Sequence, residues 1–402
     1  MQMFLEVVLL LLTVVVLTPV AMFCTEVLCS LWPYRRRLEY HVPDDARIAV
    51  LIPAHNEEAV IARTLETLMP SVGQGGRVLV VADNCSDSTA ETARRLGADV
   101  VERFDRERRG KGFALDHGLK ALAGDPPDVV VFLDADCQAD PQLVGRLAAA
   151  ALETGRPVQG LNLCDPDPAG GPMQAVSGLA FRFKNLVRML GLSRLAGLNY
   201  LTGTGMALPW KLATTHSIAG GNVVEDMQWG IDLALNGHRP LFVPEAAVRS
   251  PLPQQRSAAK TQRTRWEHGH LKTLLSQVPQ LLWLALTRRR LDLLLLAFDL
   301  AIPPLSLLVL ILMLAITSAS AFALTGLASW NAAIALAFGA LCVVAAVAAG
   351  WCRHCRKAIP ASALCMAPLY AVAKLPIYLT FVWKRQREWI RTEREASAPV
   401  VR

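Results

Sequence analysis

Residues 7–24 run without a charged side chain, close to the ~20 apolar residues that cross a hydrocarbon core. The pattern predicts a transmembrane helix. The basic cluster Arg35-Arg36-Arg37 follows this run instead of preceding it, the reverse of a cleavable signal peptide. The helix is therefore expected to be retained, with its N-terminus outside and the following residues in the cytoplasm. From about residue 47 to 278 the pattern becomes mixed. Short apolar runs at 48–52, 78–81 and 129–133 end in polar residues, as strands buried on both faces do. Helical spacing follows each run: 59–68, then 89–96 behind a cap at Asp87 or Ser88, then 141–152 with Pro141 in the first turn. This alternation predicts an α/β domain with a largely parallel sheet and ligands at the carboxyl ends of its strands. Beyond Arg288-Arg289-Arg290, the runs 291–316 and 332–350 predict an outward and a return crossing. The stretch 361–382 contains Lys374 and two prolines and ends on a further basic cluster, and is read as re-entrant or interfacial. The expected organisation is an N-terminal transmembrane helix (1–34), a cytoplasmic α/β domain (35–287), two transmembrane helices (288–352), and a re-entrant or interfacial segment with a basic tail (353–402).

Composition sharpens the membrane expectation. Of 402 residues, 53% are hydrophobic, more than a soluble globular domain usually carries. The net charge of +7 would suit nucleic acid, but Arg and Lys cluster beside the apolar runs, at 35–37, 288–290, 353–357 and 384–387. That placement favours anionic lipid headgroups and a multi-pass protein of the cell membrane over a nucleic-acid partner. The nine cysteines are scattered through apolar runs and beside acidic residues, unlike a disulfide framework. Cys352 and Cys355 form a single CxxC without a second ligand pair, too little for a zinc site.

Candidate chemistry collects at the predicted strand ends. Asp134 and Asp136 follow the strand VVVFL, offering hard oxygen ligands to Mg²⁺ or Mn²⁺, which can bridge two phosphates. Such pairs also serve as helix caps and turn formers. Asp83 ends an earlier strand, where it can contact a base or ribose while Asp87 caps the next helix. Lys111, between Gly110 and Gly112 and ahead of a helical stretch, suits phosphate contacts, with a solvated basic loop as the alternative. Glu225-Asp226 precedes the helical pattern MQWGIDLALNG, which fits either a general base or a negatively charged first turn. Thr202-Gly203-Thr204 offers hydroxyls and close backbone approach for an acceptor. Gln262, Arg265 and Trp266 combine an amide, a cation and an aromatic face, suited to a diphosphate and a sugar ring or to a membrane-surface helix.

Taken in order, these residues resemble a family-2 glycosyltransferase with a GT-A fold, of the branch that includes cellulose, chitin and hyaluronan synthases. The opening VLIPAHNEE resembles the family's first strand and nucleotide-contacting turn. The resemblance implies that Pro53, Ala54, His55, Asn56 and Glu57 line the donor site with Asp83 and Lys111. Asp134 and Asp136 match the DxD motif, Glu225-Asp226 the ED pair with Asp226 as base, and Gln262, Arg265 and Trp266 the QxxRW motif beside donor diphosphate and acceptor sugar. It further implies an inverting, metal-dependent transfer from a UDP-sugar or GDP-sugar to a growing polysaccharide or lipid-linked glycan, with export or assembly partners possible. Large processive synthases usually carry more transmembrane helices than the three read here. Transfer of one sugar to a lipid and a noncatalytic nucleotide-sugar-binding subunit stand as alternatives. A dinucleotide-binding dehydrogenase is excluded, since PAHNEE stands where G-x-G-x-x-G belongs.

Overall fold

The computed structural model describes residues 2–33, 41–73, 75–166, 171–215, 218–219, 225–251 and 256–383. The basic clusters at 35–37 and 384–387 and the C-terminal tail lie outside the described residues. The described residues divide into two compact units, one drawn from 41–165 and 197–263, the other from 2–33, 166–196 and 264–383.

The first unit is built on an eight-stranded sheet. Its strands are β1 (Ile48–Ala54), β2 (Arg77–Asp83), β3 (Asp99–Arg103), β4 (Val129–Phe132), β5 (Gln138–Ala139), β6 (Val158–Asp165), β7 (Met206–Pro209) and β8 (Leu241–Pro251). They lie in the order β3-β2-β1-β4-β7-β6-β8-β5. The half from β3 to β4 is parallel, as the alternation of apolar runs and helices requires. The other half is mixed: β7 runs antiparallel to β4 and β6, while β8 is parallel to β6 and antiparallel to β5. The expected parallel arrangement therefore holds for the half from β3 to β4, while β7 brings antiparallel pairing into the other half.

The predicted helices appear as Glu58–Val72, Thr89–Arg95, Lys111–Leu122, Leu143–Thr154 and Glu225–Leu235. Pro141 precedes its helix by two residues instead of opening it. Two of these helices cap each other. Asp87 accepts from the amides of Glu58 (3.1 Å) and Thr89 (3.1 Å), while the Ser88 amide donates to Glu58 (3.2 Å) and the Glu57 amide to the Thr89 hydroxyl (2.8 Å). These bonds satisfy orphan amide groups at both starts. The helix Lys111–Leu122 lies flush on β1 and β2 because Gly118 leaves room for Leu51 and Val81, whose methyls a Cβ there would meet at 2.4 and 2.8 Å.

The second unit is helical. Among the described residues, four helical stretches are long and apolar enough to cross a membrane: Gln2–Leu31, Leu305–Leu324, Asn331–Cys355 and Ser362–Phe381. The run expected as one span from 291 to 316 is divided into the helices Leu291–Leu300 and Leu305–Leu324, since Pro303 and Pro304 cannot continue a helix. Helices at Gly171–Arg182 and Met189–Ala196 belong to this unit too, joined by a π-helical turn over Phe183–Arg188. Arg188 is buried there between two acids, 3.0 Å from Glu26 and 2.7 Å from Asp299. Gly191 lies directly against the backbone of Glu26. An isolated buried charge would be costly, and the paired arginine is compensated by both carboxylates.

Candidate active site

Strand β1 ends at Ala54 opposite Ala82 of β2, and the turn after it is held to the end of β2 by side chains. His55 Nδ1 meets the Asp83 carbonyl at 2.6 Å, and the Asn56 side-chain oxygen accepts from the Ser86 amide at 2.7 Å. Asn56 and Asn84 both adopt positive φ, 53° and 52°, a region asparagine tolerates better than most residues. Pro53, Ala54, His55, Asn56 and Glu57 therefore form one shelf with Asp83. Asp83 is buried and receives Arg103 at 2.6 Å. Arg103, the last residue of β3, was not singled out from the sequence; a cation ending a strand beside a carboxylate-ending strand was the available signal.

Asp134 follows β4 and donates its backbone amide to the Thr204 hydroxyl (3.1 Å). Its carboxylate forms an ion pair with the Lys111 ammonium, which also donates to the Gly203 carbonyl at 2.8 Å. Burial opposes the Lys111 charge, but Asp134, Glu225 and Asp226 outweigh it and hold the ammonium well above its ordinary range. Glu225 responds in the opposite sense: burial and then the neighbouring Asp226 push its carboxyl up to about 7. The pair Glu225-Asp226 occupies the first turn of a helix anchored by Trp229, whose ring meets Phe132 of β4 edge-on at 5.5 Å. Gly230 brings this helix against the backbone of Leu201, where a Cβ would lie 2.8 Å from the amide nitrogen. The sequence thus places Asp226 beside Thr202-Gly203-Thr204 through the bare face of one glycine.

That loop is held from below. Gln159, fully buried on β6, accepts from the Thr202 amide at 2.8 Å and donates to the Thr204 carbonyl at 2.9 Å. The sequence reading missed Gln159, one of two polar residues within the apolar run VQGLNL. Gly203 has φ +84°, and a Cβ on it would lie 2.8 Å from Asp226 Oδ2 and 3.1 Å from Lys111 Nζ. Gly203→Ala is expected to lower the thermal midpoint through a left-handed cost of about 1–2 kcal/mol. If Asp226 and Lys111 take part in the chemistry, it should also cut turnover by on the order of 10-fold or more, because it displaces them. Gly237→Ala is the control, having φ +89° and no neighbour within 4 Å. Equal turnover in the two variants would refute a role for the Gly203 contact.

Asp134, Asp136 and Cys137 present ligand atoms within 4.8 Å of one another. The two carboxylates fit a hard divalent cation. Cys137 offers a soft sulfur that suits Mg²⁺ or Mn²⁺ poorly, on a thiol that burial and then Asp136 and Asp134 raise well above its ordinary range. Its sulfur meets the hydroxyls of Thr204 (3.3 Å) and Ser250 (3.0 Å) instead.

Lys111, Asp134, Asp136, Thr202, Gly203, Thr204, Glu225 and Asp226 thus meet in one unit, beside the shelf of 53–57 and Asp83. Gln262 belongs to the same unit, whereas Arg265 and Trp266 belong to the helical one. All three lie half-buried on the helix Arg256–Thr287, with the Trp266 ring 5.7 Å from Phe181.

Comparison with known proteins agrees with this geometry. A Bacillus subtilis (strain 168) protein named probable glycosyltransferase YdaM is 27% identical over 262 residues, covering 58% of this chain and 57% of its own length. Glucomannan 4-beta-mannosyltransferase 7 of Arabidopsis thaliana is 23% identical over 253 residues, 58% of this chain and 44% of its own length. The matches thus span about half of these relatives. Among solved structures, mannosyltransferase PcManGT from Pyrobaculum calidifontis, in complex with GDP-Man and Mn²⁺, has the same fold, with a TM-score of 0.58 at 18% identity over 95% of this chain and 100% of that one. Residues 44–269, more than half the chain, match the family described as glycosyltransferase like family 2, and the chain belongs to that family.

Proposed function

We propose that the protein is an inverting, metal-dependent glycosyltransferase of the cell membrane, moving a sugar from a nucleotide-diphosphate donor to a glycan or lipid-linked acceptor at the cytoplasmic face. UDP-sugars are the favoured donors, with GDP-sugars second. The observation that carries the proposal is the convergence of Lys111, Asp134 and Asp226 around Gly203, beside the ends of parallel strands in a family-2 domain.

In this reading the shelf of residues 53–57 and Asp83 holds the nucleoside, and Lys111 faces the diphosphate. Asp134 and Asp136 would hold Mg²⁺ or Mn²⁺, which supplies charge for the departing nucleoside diphosphate. Asp226 takes the proton of the acceptor hydroxyl as its oxygen attacks the anomeric carbon and the bond to the diphosphate breaks. Single displacement inverts that carbon, through an oxocarbenium-like transition state. Burial and the Asp226 charge raise Glu225 to about 7, so near neutral pH Glu225 is partly protonated and the pair's negative charge can rest on Asp226. Thr202 and Thr204 offer hydroxyls to the acceptor, while Gln262, Arg265 and Trp266 enter the proposal on their motif.

The test is nucleoside-diphosphate release by full-length protein in detergent, across UDP- and GDP-sugars, with Mn²⁺, Mg²⁺ or chelator, and membrane lipid extract as acceptor. One donor should turn over, and chelator should abolish its release. Product length then separates polymer synthesis from single transfer to a lipid. Binding of donors without release from any of them would favour a noncatalytic subunit instead.

A further inference from the structure

Lys374 is an ionisable residue inside an apolar stretch, and the structure gives it a partner. The stretch is two helices, Ser362–Ala373 and Leu375–Trp383, with Lys374 at the joint. Pro376 lacks the amide that would continue the hydrogen-bond ladder, which explains the break there. The Lys374 side chain, 6% exposed, turns into the unit and forms an ion pair with Glu267, itself 8% exposed. Its ammonium also lies 4.6 Å from the centre of the Tyr370 ring. The neighbouring His268 is fastened to the same segment, with Nε2 2.8 Å from the Ile377 carbonyl and its ring edge-on to Phe381 at 5.3 Å. Leu271 packs with Tyr378 and Phe381.

Glu267, His268 and Leu271 lie on one side of the helix Arg256–Thr287. At about 100° per residue, Gln262, Arg265 and Trp266 fall on the opposite side. A buried charge in such a setting persists where it is paired and used. We infer that Lys374 and Glu267 are positioning residues: their ion pair fixes the rotation of this helix and so the direction in which Arg265 and Trp266 are presented. The fourth apolar segment thereby acquires a function as the clamp of the QxxRW helix. The inference rests on the proposal that Trp266 serves transfer.

The experiment measures donor KM and kcat on full-length protein in nanodiscs, with the donor that turns over, for K374M, E267Q, K374R, K374M/E267Q and W266A. Thermal midpoint and nucleotide binding are recorded alongside. The expected result is a tenfold or greater fall in kcat for K374M and E267Q with donor KM unchanged, restored largely by K374R. Where single variants unfold through an unpaired charge, the double variant removes both charges. A folded double variant still tenfold slow supports the inference, and one with wild-type kcat overturns it, as do wild-type single variants. W266A with undiminished transfer would instead overturn the reading of the motif itself, whatever the pair does.

Discussion

Asp226→Asn is expected to lower transfer by about 10³-fold, within the 10²–10⁴ that a positioned general base contributes, while donor and metal binding stay unchanged. Asparagine keeps the shape of the side chain, so its close packing against Gly203, where an added Cβ would come within 2.8 Å of Oδ2, is preserved. Lys111 retains its ion pair with Asp134 and its bond to the Gly203 carbonyl. The lost property is the ability to accept a proton. The competing account of Asp226 is a first-turn carboxylate that favours the helix dipole, worth about 0.3–1 kcal/mol. Removing such an interaction would shift the melting temperature slightly and leave turnover nearly intact. The two accounts therefore separate on kcat, read against nucleotide binding by calorimetry and the thermal midpoint. A variant with wild-type kcat and a lowered midpoint would end the assignment of Asp226 as base.

Much of this site was legible because the parallel half of the sheet writes itself plainly. Strands β1, β2 and β4 are continuous apolar runs, and each hands a polar residue to the same edge of the sheet, so 53–57, Asp83, Asp134 and Asp136 could be read in order. The mixed half was not legible. Strand β7, Met206–Pro209, is too short to show a period, and β6 and β8 pair across a register shift at Gly160 and Leu161. With those strands unseen, Gln159 had no visible reason to matter, although it holds the loop that carries Thr202, Gly203 and Thr204. Arg103 and the Lys374–Glu267 pair escaped for a related reason: each depends on a partner 20 or 107 residues away, a separation that no local pattern encodes. The apolar run beginning at 291 misled in another way. Hydropathy averages over Pro303 and Pro304, whereas the backbone cannot.

The second large effect is expected at the metal-binding end of the site, where Asp136→Ala should weaken Mn²⁺-dependent nucleotide binding by at least about 10²-fold. That exceeds the 10–100-fold typical for loss of a residue that merely orients a ligand, because a direct oxygen ligand would be gone. In the proposed arrangement the two DxD carboxylates are the protein's ligands to a hard cation. Cys137 lies within the same 4.8 Å cluster, but its soft sulfur is a poor match for a hard divalent cation that prefers carboxylate oxygen. Cys137→Ser should accordingly leave metal affinity unchanged, since a hydroxyl can still meet Thr204 and Ser250. The two variants are compared by titrating Mn²⁺ against the protein and its nucleotide complex, following free Mn²⁺ by electron paramagnetic resonance. Binding without metal provides the baseline, and there Asp136→Ala should match wild type, because Asp134 keeps Lys111 in place. If Cys137→Ser weakened the metal and Asp136→Ala did not, the cation would have to sit on the sulfur side of the cluster, and the assignment of the DxD carboxylates as its ligands would fail.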